Sequence, residues 1–378
     1  MTDSKIDFNR TFLTGNEATY IGDALASRSL TGDGRFTQLA SAELAKITGS
    51  TKPLLTHSCT ASLEMAALLI DAKPGDEIIM PSYTFVSTAN AFVLRGATPV
   101  FVDIDADTLN VDPAAVKKAI TSKTTAIVPV HYAGMSANMD NLAAIAKEND
   151  LWLIEDAAQG MFSDYRGRHL GTIGDLGCVS FHGTKNIATG EGGALLINNE
   201  TLRERAEIIR EKGTNRSQFL RGDVDKYTWH DIGSSYLPSD IMAATLLAQL
   251  EDGLEITRRR TSIWNRYHEA FDKLEADGFV RRPRLDVGAT VNGHIYYLIC
   301  RENSERDALI AELRTQGISL TSHYVPLHSS PAGERYGRAD GPLPVTDRIA
   351  GSIARLPIYP EMENQLDRVV AAVEKFFA

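Results

Sequence analysis

The sequence predicts an α/β fold: a large domain around a mostly parallel, seven-stranded sheet, followed by a smaller C-terminal α+β domain. Three observations carry this expectation. A chain of 378 residues with 43% hydrophobic content exceeds what one small core usually serves, so two packed units are expected. From about residue 53 to residue 200, short apolar runs alternate with segments of helical period, the pattern of repeated strand–helix units. Beyond a polar, glycine-containing stretch at 213–236, a long helical pattern precedes a second, shorter set of strands and helices.

The strands are expected at PLLTHS (53–58), EIIMPSY (77–83), TPVFVDI (98–104), TTAIVPVHY (124–132), LWLIEDA (151–157), GCVSFHG (177–183) and GALLIN (193–198). Between them ASLEMAALLIDA, VSTANAFVLRGA, DPAAVKKAITS and NLAAIAKEND repeat apolar residues at spacings of three and four, so each presents a face to the sheet. A helical pattern then runs from Ser239 through Leu274. Strands are expected at HIYYLIC (294–300) and near SLTSHYVP, with a helix from Glu305 to Gln316 and a closing helix over ENQLDRVVAAVEKFFA. The expected division is residues 1–250 for the large domain with its N-terminal arm, and 251–378 for the small one. No repeat of fixed period is present.

A formal net charge of -10, with no basic stripe to offset it, argues against a nucleic-acid partner. No apolar run approaches the roughly 20 residues that cross a bilayer, and the N-terminus lacks an apolar signal core, so a cytoplasmic protein without membrane contact is expected. Cys59, Cys178 and Cys300 are too dispersed for a disulfide framework or a zinc knuckle. His323 and His328 are not on one face of a strand-like segment containing Pro326, and nothing calls for a metal.

Ligands in open parallel sheets gather at the carboxyl ends of the strands. There the chain places Asp156, followed by Gln159; His182, Gly183, Thr184 and Lys185 after a strand containing Ser180; Cys59, Thr60, Ala61 and Ser62 at a helix start; Thr84 and Phe85; and His131 with Gly134. Singly, a strand-end aspartate reads as a helix cap and a loop lysine as a solvated surface group. Jointly they supply what pyridoxal phosphate (PLP) needs. Lys185 offers an amine for its aldehyde, and Asp156 an anion for its ring nitrogen. Phe85 offers a flat group for its ring, and the turn at Thr60 and Ala61, with Ser180, a cradle for its phosphate. Lys185 would also carry protons, so burial is expected to lower its pKa.

The segments TASLEMAALLI, PGDEIIMPSYTFVSTANAFVLRGATPVFVDID, IVPVHYAG, IEDAAQG, GDLGCVSFHGTKN, EGGALLIN, HYVPLH and RLPIYP together resemble the sugar aminotransferases of the DegT/DnrJ/EryC1/StrS family over essentially the whole chain. The resemblance implies the type I PLP-dependent, aspartate aminotransferase-like fold. It implies Lys185 as the lysine that holds the cofactor, Asp156 as the pyridinium partner, Gln159 beside the ring hydroxyl and Phe85 as the stacking residue. Thr60, Ala61 and Ser180 would bind the phosphate. The segment EKGTNRSQFLRGDVDKYTWHDIGSSYLPSD resembles a branch acting on dTDP-4-keto-6-deoxyglucose with glutamate as amino donor. Many members read Gly-x-Asn-Tyr where this chain has Gly233, Ser234, Ser235 and Tyr236. That asparagine reaches the cofactor phosphate of a partner subunit, and Ser235 is shorter. The resemblance thus implies a homodimer with shared active sites.

Lys212, Arg216 and Lys226 are cations on an otherwise acidic chain and are candidates for a substrate diphosphate; Tyr324 is a further candidate for substrate binding. Related sugar dehydratases carry histidine in place of the lysine, which Lys185 argues against. A Rossmann dehydrogenase would need G-x-G-x-x-G after an early strand, and none is present. A hydrolase built on Cys59 and a histidine is a further alternative.

Overall fold

The computed structural model describes residues 5–378; residues 1–4, the start of the expected N-terminal arm, lie outside the described residues. Seven strands form where the apolar runs place them: β1 (Pro53–Thr56), β2 (Glu77–Pro81), β3 (Thr98–Val102), β4 (Thr124–Ile127), β5 (Trp152–Asp156), β6 (Leu176–Ser180) and β7 (Gly193–Ile197). They lie in the order β1-β7-β6-β5-β4-β2-β3, and an eighth, two-residue strand, Arg338–Ala339, extends the β3 edge. The expected count of seven is therefore one short. Two residues among loops give no period to read.

β7 runs antiparallel to both neighbours, and the other strand pairs of the sheet are parallel. The strands read as continuous apolar runs because apolar clusters form on both faces. β4 stops at Ile127, short of the expected run to Tyr132, since Pro129 has no N–H to donate. Only the single bridge from Val130 to Asp156 resumes the pairing.

The helix Cys59–Leu69 follows β1, and the helix Val86–Val93 follows β2. β7 starts beside the first of these. A Cβ on Gly193 would come within 2.4 Å of the Ser58 carbonyl carbon, so only glycine lets the strand approach the helix start so closely. The carboxyl ends of β5 and β6 and the starts of these two helices thus open on one edge of the sheet.

The long helical pattern after Ser239 is three helices, Asp240–Glu251, Gly253–Ala270 and Asp272–Ala276. The first break falls where Gly253 packs on Phe162, whose ring a Cβ would approach to 2.2 Å. A three-stranded antiparallel sheet follows, β8 (Val280–Arg281), β9 (Tyr296–Cys300) and β10 (Ile353–Leu356), in that order. It is flanked by the helices Asn303–Thr315 and Leu366–Phe377. No strand forms over SLTSHYVP. Ile318, just before it, bridges Ile6, and within it only Thr321 bridges, to Arg355, before the chain turns toward the site. Ile6 is buried among the C-terminal apolar residues, with Ile318, Leu320 and Phe377. Among the described residues no helix is long and apolar enough to cross a membrane.

Candidate active site

A cavity of about 860 Å³ lies at the edge where the strand ends converge. Its lining brings together Asp156, Gln159, Ser180 and Lys185 with Thr60 and Phe85 from the two helix starts, and Tyr324 and Arg355 from the C-terminal part.

Asp156 ends β5 and is 4% exposed. Its Oδ2 accepts a hydrogen bond from Thr88 Oγ1 at 2.7 Å, and its Oδ1 one from the Ala158 N–H at 3.1 Å. Thr88 sits one helical turn after Thr84, whose hydroxyl lies 2.8 Å from that of Thr88. With Thr88 donating to the carboxylate, Thr84 donates to Thr88. Among the described residues Asp156 makes no ion pair.

Lys185 lies in the turn between β6 and β7, its backbone N–H bonded to the His182 carbonyl at 2.8 Å. Its ammonium has no hydrogen-bond or ion-pair partner among the described residues. Burial pulls its pKa below the usual lysine value; Cys59 and Asp156 oppose this and Arg355 adds to it. The next residue, Asn186, ties the turn to the C-terminal part: its Nδ2 donates to the Asn292 carbonyl at 2.8 Å, and its Oδ1 accepts from His294 Nδ1 at 3.0 Å.

The phosphate cradle differs in detail from expectation. Ser58 caps the helix Cys59–Leu69 by accepting the Ala61 N–H at 3.1 Å. Ser58, Cys59 and Thr60 line the cavity, whereas Ala61 is buried behind them. Thr60 Oγ1 lies 2.8 Å from Ser87 Oγ at the start of the neighbouring helix, and Ser180 Oγ accepts the His182 N–H at 3.3 Å. Hydroxyls from three elements therefore face one helix N-terminus, a setting that favours a phosphate. Ser58, Ser87 and Thr88 were not among the expected site residues, since nothing in their local sequence shows which loops meet.

Phe85 is 56% exposed beside the cavity, with its ring 6.4 Å from that of Tyr324. Gln159 accepts the Ala133 N–H at 2.7 Å and donates to the Tyr324 hydroxyl at 3.0 Å. Tyr324 stacks on His323 at 3.7 Å between ring centroids, and Tyr132 Oη lies 2.7 Å from His323 Nδ1. Burial drives the Cys59 thiol well above its ordinary pKa, which disfavours the thiolate that a nucleophilic role needs.

Lys212, Arg216, Lys226 and Ser235 do not line this cavity. Arg216 and Lys212 both face Glu211, at 2.9 and 3.6 Å, Lys226 is exposed, and Ser235 pairs with Glu211 through its backbone.

The donor set fits PLP: an unpaired lysine, a buried carboxylate lacking its cation, an exposed aromatic face and a hydroxyl-lined helix start. Fold and site together define a PLP-dependent aminotransferase. Residues 13–374 match the model of the DegT/DnrJ/EryC1/StrS aminotransferase family, and the chain belongs to that family. It is 34% identical to the spore coat polysaccharide biosynthesis protein SpsC of Bacillus subtilis, over 88% of this chain and 87% of that one. Among solved structures it resembles the aminotransferase TlmJ from Streptoalloteichus hindustanus, with TM-score 0.91, 30% identity and 99% of each chain covered. It also resembles the PLP-form of Spr1654 from Streptococcus pneumoniae, with TM-score 0.89, 27% identity, and 99% and 100% of the two chains covered.

Proposed function

We propose that the protein transfers an amino group to a nucleotide-linked 4-keto-6-deoxy sugar. The particular reaction proposed converts dTDP-4-keto-6-deoxyglucose to dTDP-4-amino-4,6-dideoxygalactose, with glutamate as donor. The observation that carries aminotransfer is the placement of Lys185 and Asp156 on the wall of one cavity large enough for a sugar. Support for the sugar comes from the resemblance of the segment 211–240 to dTDP-4-amino-4,6-dideoxygalactose transaminase. SpsC adds support, as its name places it in polysaccharide biosynthesis.

In this reading Lys185 holds the cofactor, Asp156 faces its ring nitrogen, Gln159 lies beside its ring hydroxyl and Phe85 covers its ring. Ser58, Thr60, Ser87 and Ser180 hold its phosphate. When bound, PLP supplies an aldehyde that exchanges amines and a ring that takes up the electron pair left by a departing proton. The chain's own work is to manage protons and shape. The lowered pKa of Lys185 keeps a fraction of its amine neutral, able to take a proton from the donor carbon and return one to the acceptor carbon. Thr88 and the Ala158 N–H hold the Asp156 carboxylate in one orientation. His323 and Tyr324 form part of the cavity wall and pack on the buried rings of Tyr83 and Tyr132 behind it.

The reading includes a two-fold dimer in which Ser235 and some of Lys212, Arg216 and Lys226 serve the partner's site. The exposure of Lys212, Lys226 and Ser235, and the half-buried Arg216, outside this chain's own cavity support it, as do the exposed Trp229 and Leu220 in the same stretch. The test is incubation with glutamate and a panel of keto-sugar nucleotides, with mass and stereochemical analysis of products. A 4-amino product with the galactose configuration is expected. Transfer only to other keto sugars would overturn the substrate assignment, and no transfer to any would overturn the sugar reading.

A further inference from the structure

Glu155 precedes Asp156 in β5, and the alternation of a strand turns the two carboxylates to opposite sides. Glu155 is fully buried and does not line the cavity. Its Oε1 accepts the N–H groups of Ile173 and Gly174, both at 2.6 Å, and its Oε2 those of Gly171 and of His131 Nε2, both at 2.8 Å. A carboxylate only accepts, so these four donors satisfy it. Burial would raise its pKa, but the His131 bond and the backbone N–H donors outweigh this and hold it below the ordinary value. His131 is fully buried as well, and its Nδ1 accepts the Ala137 N–H at 3.2 Å. Since that N–H can only donate, the ring proton sits on Nε2 and points at Glu155. The backbone N–H of His131 donates to the Asp156 carbonyl at 3.2 Å.

Between His131 and Ala137 the backbone turns through two left-handed residues, Ala133 at φ 59° and Gly134 at φ 78°. Alanine disfavours this conformation and keeps it only where the surroundings impose it. Here the His131 side chain ties the two ends of the turn together, Asn110 Oδ1 accepts the Tyr132 N–H at 2.9 Å, and Ser163 Oγ donates to the Gly134 carbonyl at 2.6 Å. What the turn delivers is the Ala133 N–H, which meets Gln159 Oε1 at 2.7 Å. With its oxygen taken by a donor, the Gln159 amide must present its nitrogen on the other side, toward Tyr324 on the cavity wall. We propose that His131 and Glu155 are positioning residues that hold this turn so that Gln159 offers N–H, and not carbonyl oxygen, to the ring hydroxyl of the cofactor. The inference rests on the aminotransfer reading above and extends it to two residues that do not line the cavity. The polarity matters because an N–H there stabilises a negatively charged ring oxygen, whereas a carbonyl would repel it. A neutral amide in place of Glu155 would set its own N–H against the Gly171 N–H or the His131 ring, so the brace needs the carboxylate.

Two readouts test this: a pH titration of the bound cofactor's absorbance in the holoenzyme, and amide exchange in the apoprotein. Gln159→Ala removes the N–H offered to the ring oxygen, which then holds its shared proton more tightly. The titration midpoint of the lysine-bound cofactor should rise by about one unit, a tenfold change in its proton equilibrium. His131→Asn keeps an acceptor near Ala137 but loses the bond to Glu155, and should raise the midpoint by a similar amount, as should Glu155→Gln. His131→Gln, long enough to reach Glu155, should recover part of the shift. When His131→Asn is combined with Gln159→Ala, the midpoint should match that of Gln159→Ala alone, because the brace acts through that amide. In the apoprotein Gln159→Ala should speed exchange at Ala133 and leave Ala137, still bonded to His131, protected. An unchanged midpoint in His131→Asn and Glu155→Gln overturns the proposal, whatever their melting temperatures, and so do additive shifts in the double variant. Should those variants fail to fold, exchange decides: fast exchange at Ala137 in the wild type, or its release in Gln159→Ala, overturns the brace. A wild type that binds no PLP overturns the aminotransfer reading itself, a separate and recognisable result.

Discussion

Thr88→Val replaces the hydroxyl that holds the Asp156 carboxylate with a methyl group of nearly the same size. The hydrogen bond is 2.7 Å long, Thr88 is fully buried and Asp156 is 4% exposed, so water cannot readily stand in for it. A hydrogen bond to a charged group in such a place contributes about 1.5–3 kcal/mol. The variant also removes the acceptor of the Thr84 hydroxyl, leaving a buried donor without a partner. If the carboxylate is held for the ring nitrogen of the cofactor, most of the loss should appear in cofactor binding. At 1.4 kcal/mol per decade this is roughly a 10- to 150-fold rise in the PLP dissociation constant. Thr88→Ser keeps the hydroxyl and should stay within a few-fold of the wild type. The assay is PLP titration of the apoprotein by absorbance, alongside thermal melting of the apo form. An unchanged PLP affinity in Thr88→Val would refute the positioning role. A loss seen equally in apo stability and in affinity would make it a packing effect.

Borohydride reduction of the purified holoenzyme should leave a pyridoxyl group on the peptide containing Lys185, and Lys185→Ala should abolish turnover; a label on another lysine would displace it from this role. Asp156→Asn should retain cofactor but slow single-turnover proton transfer by orders of magnitude, because a neutral amide cannot hold the ring's positive charge; unchanged rates would show that another group does so. Burial lowers the pKa of His169, His268, His294 and His323 below the ordinary 6.5. The unfolded chain therefore takes up more protons than the folded one below that value. Stability should be full above about pH 6.5 and fall as the pH drops toward the folded values, and a melting temperature flat from about pH 7 to pH 5 would contradict this. Co-expressing Lys185→Ala chains with chains altered at Arg216 and Ser235 should restore about half activity in mixed dimers; no recovery in demonstrated mixed dimers would place the loop in its own chain's site.

What could be read from the sequence follows from how each feature is encoded. The seven main strands were visible because apolar residues cover both faces, making continuous runs such as Ile78–Met80 and Ala194–Ile197. Asp156 and Lys185 were visible because the first ends its strand and the second lies in the turn after Ser180, the end of the next, and position near a strand end is local information. Arg355 was not. It lies within the segment RLPIYP, roughly 170 residues beyond Lys185, and only the tertiary fold brings β10 to the cavity. SLTSHYVP has β-like composition yet forms no strand, because His323 and Tyr324 are drawn into an aromatic cluster with Tyr83 and Tyr132. The helix-start serines Ser58 and Ser87 were missed for another reason. A cap and a phosphate donor use the same residue types, and Ser58 shows the cap role in its bond to the Ala61 N–H.

The pairing of Ile6 with Ile318 bears on how the polypeptide is completed during synthesis. Ile6 is synthesised roughly 300 residues before its partner. Until then a fully buried isoleucine and its hydrogen bond to Gly317 have nowhere to go. Contacts of such long sequence separation form late, because the closure of a large loop precedes any gain from them. The C-terminal core therefore has a seat filled by a residue far upstream in the sequence. A fragment expressed from Gly253 onward would have a hole there, at a cost of about 2–5 kcal/mol. Supplying a peptide spanning Lys5 to Asn9 in trans should stabilise that fragment in proportion to its concentration.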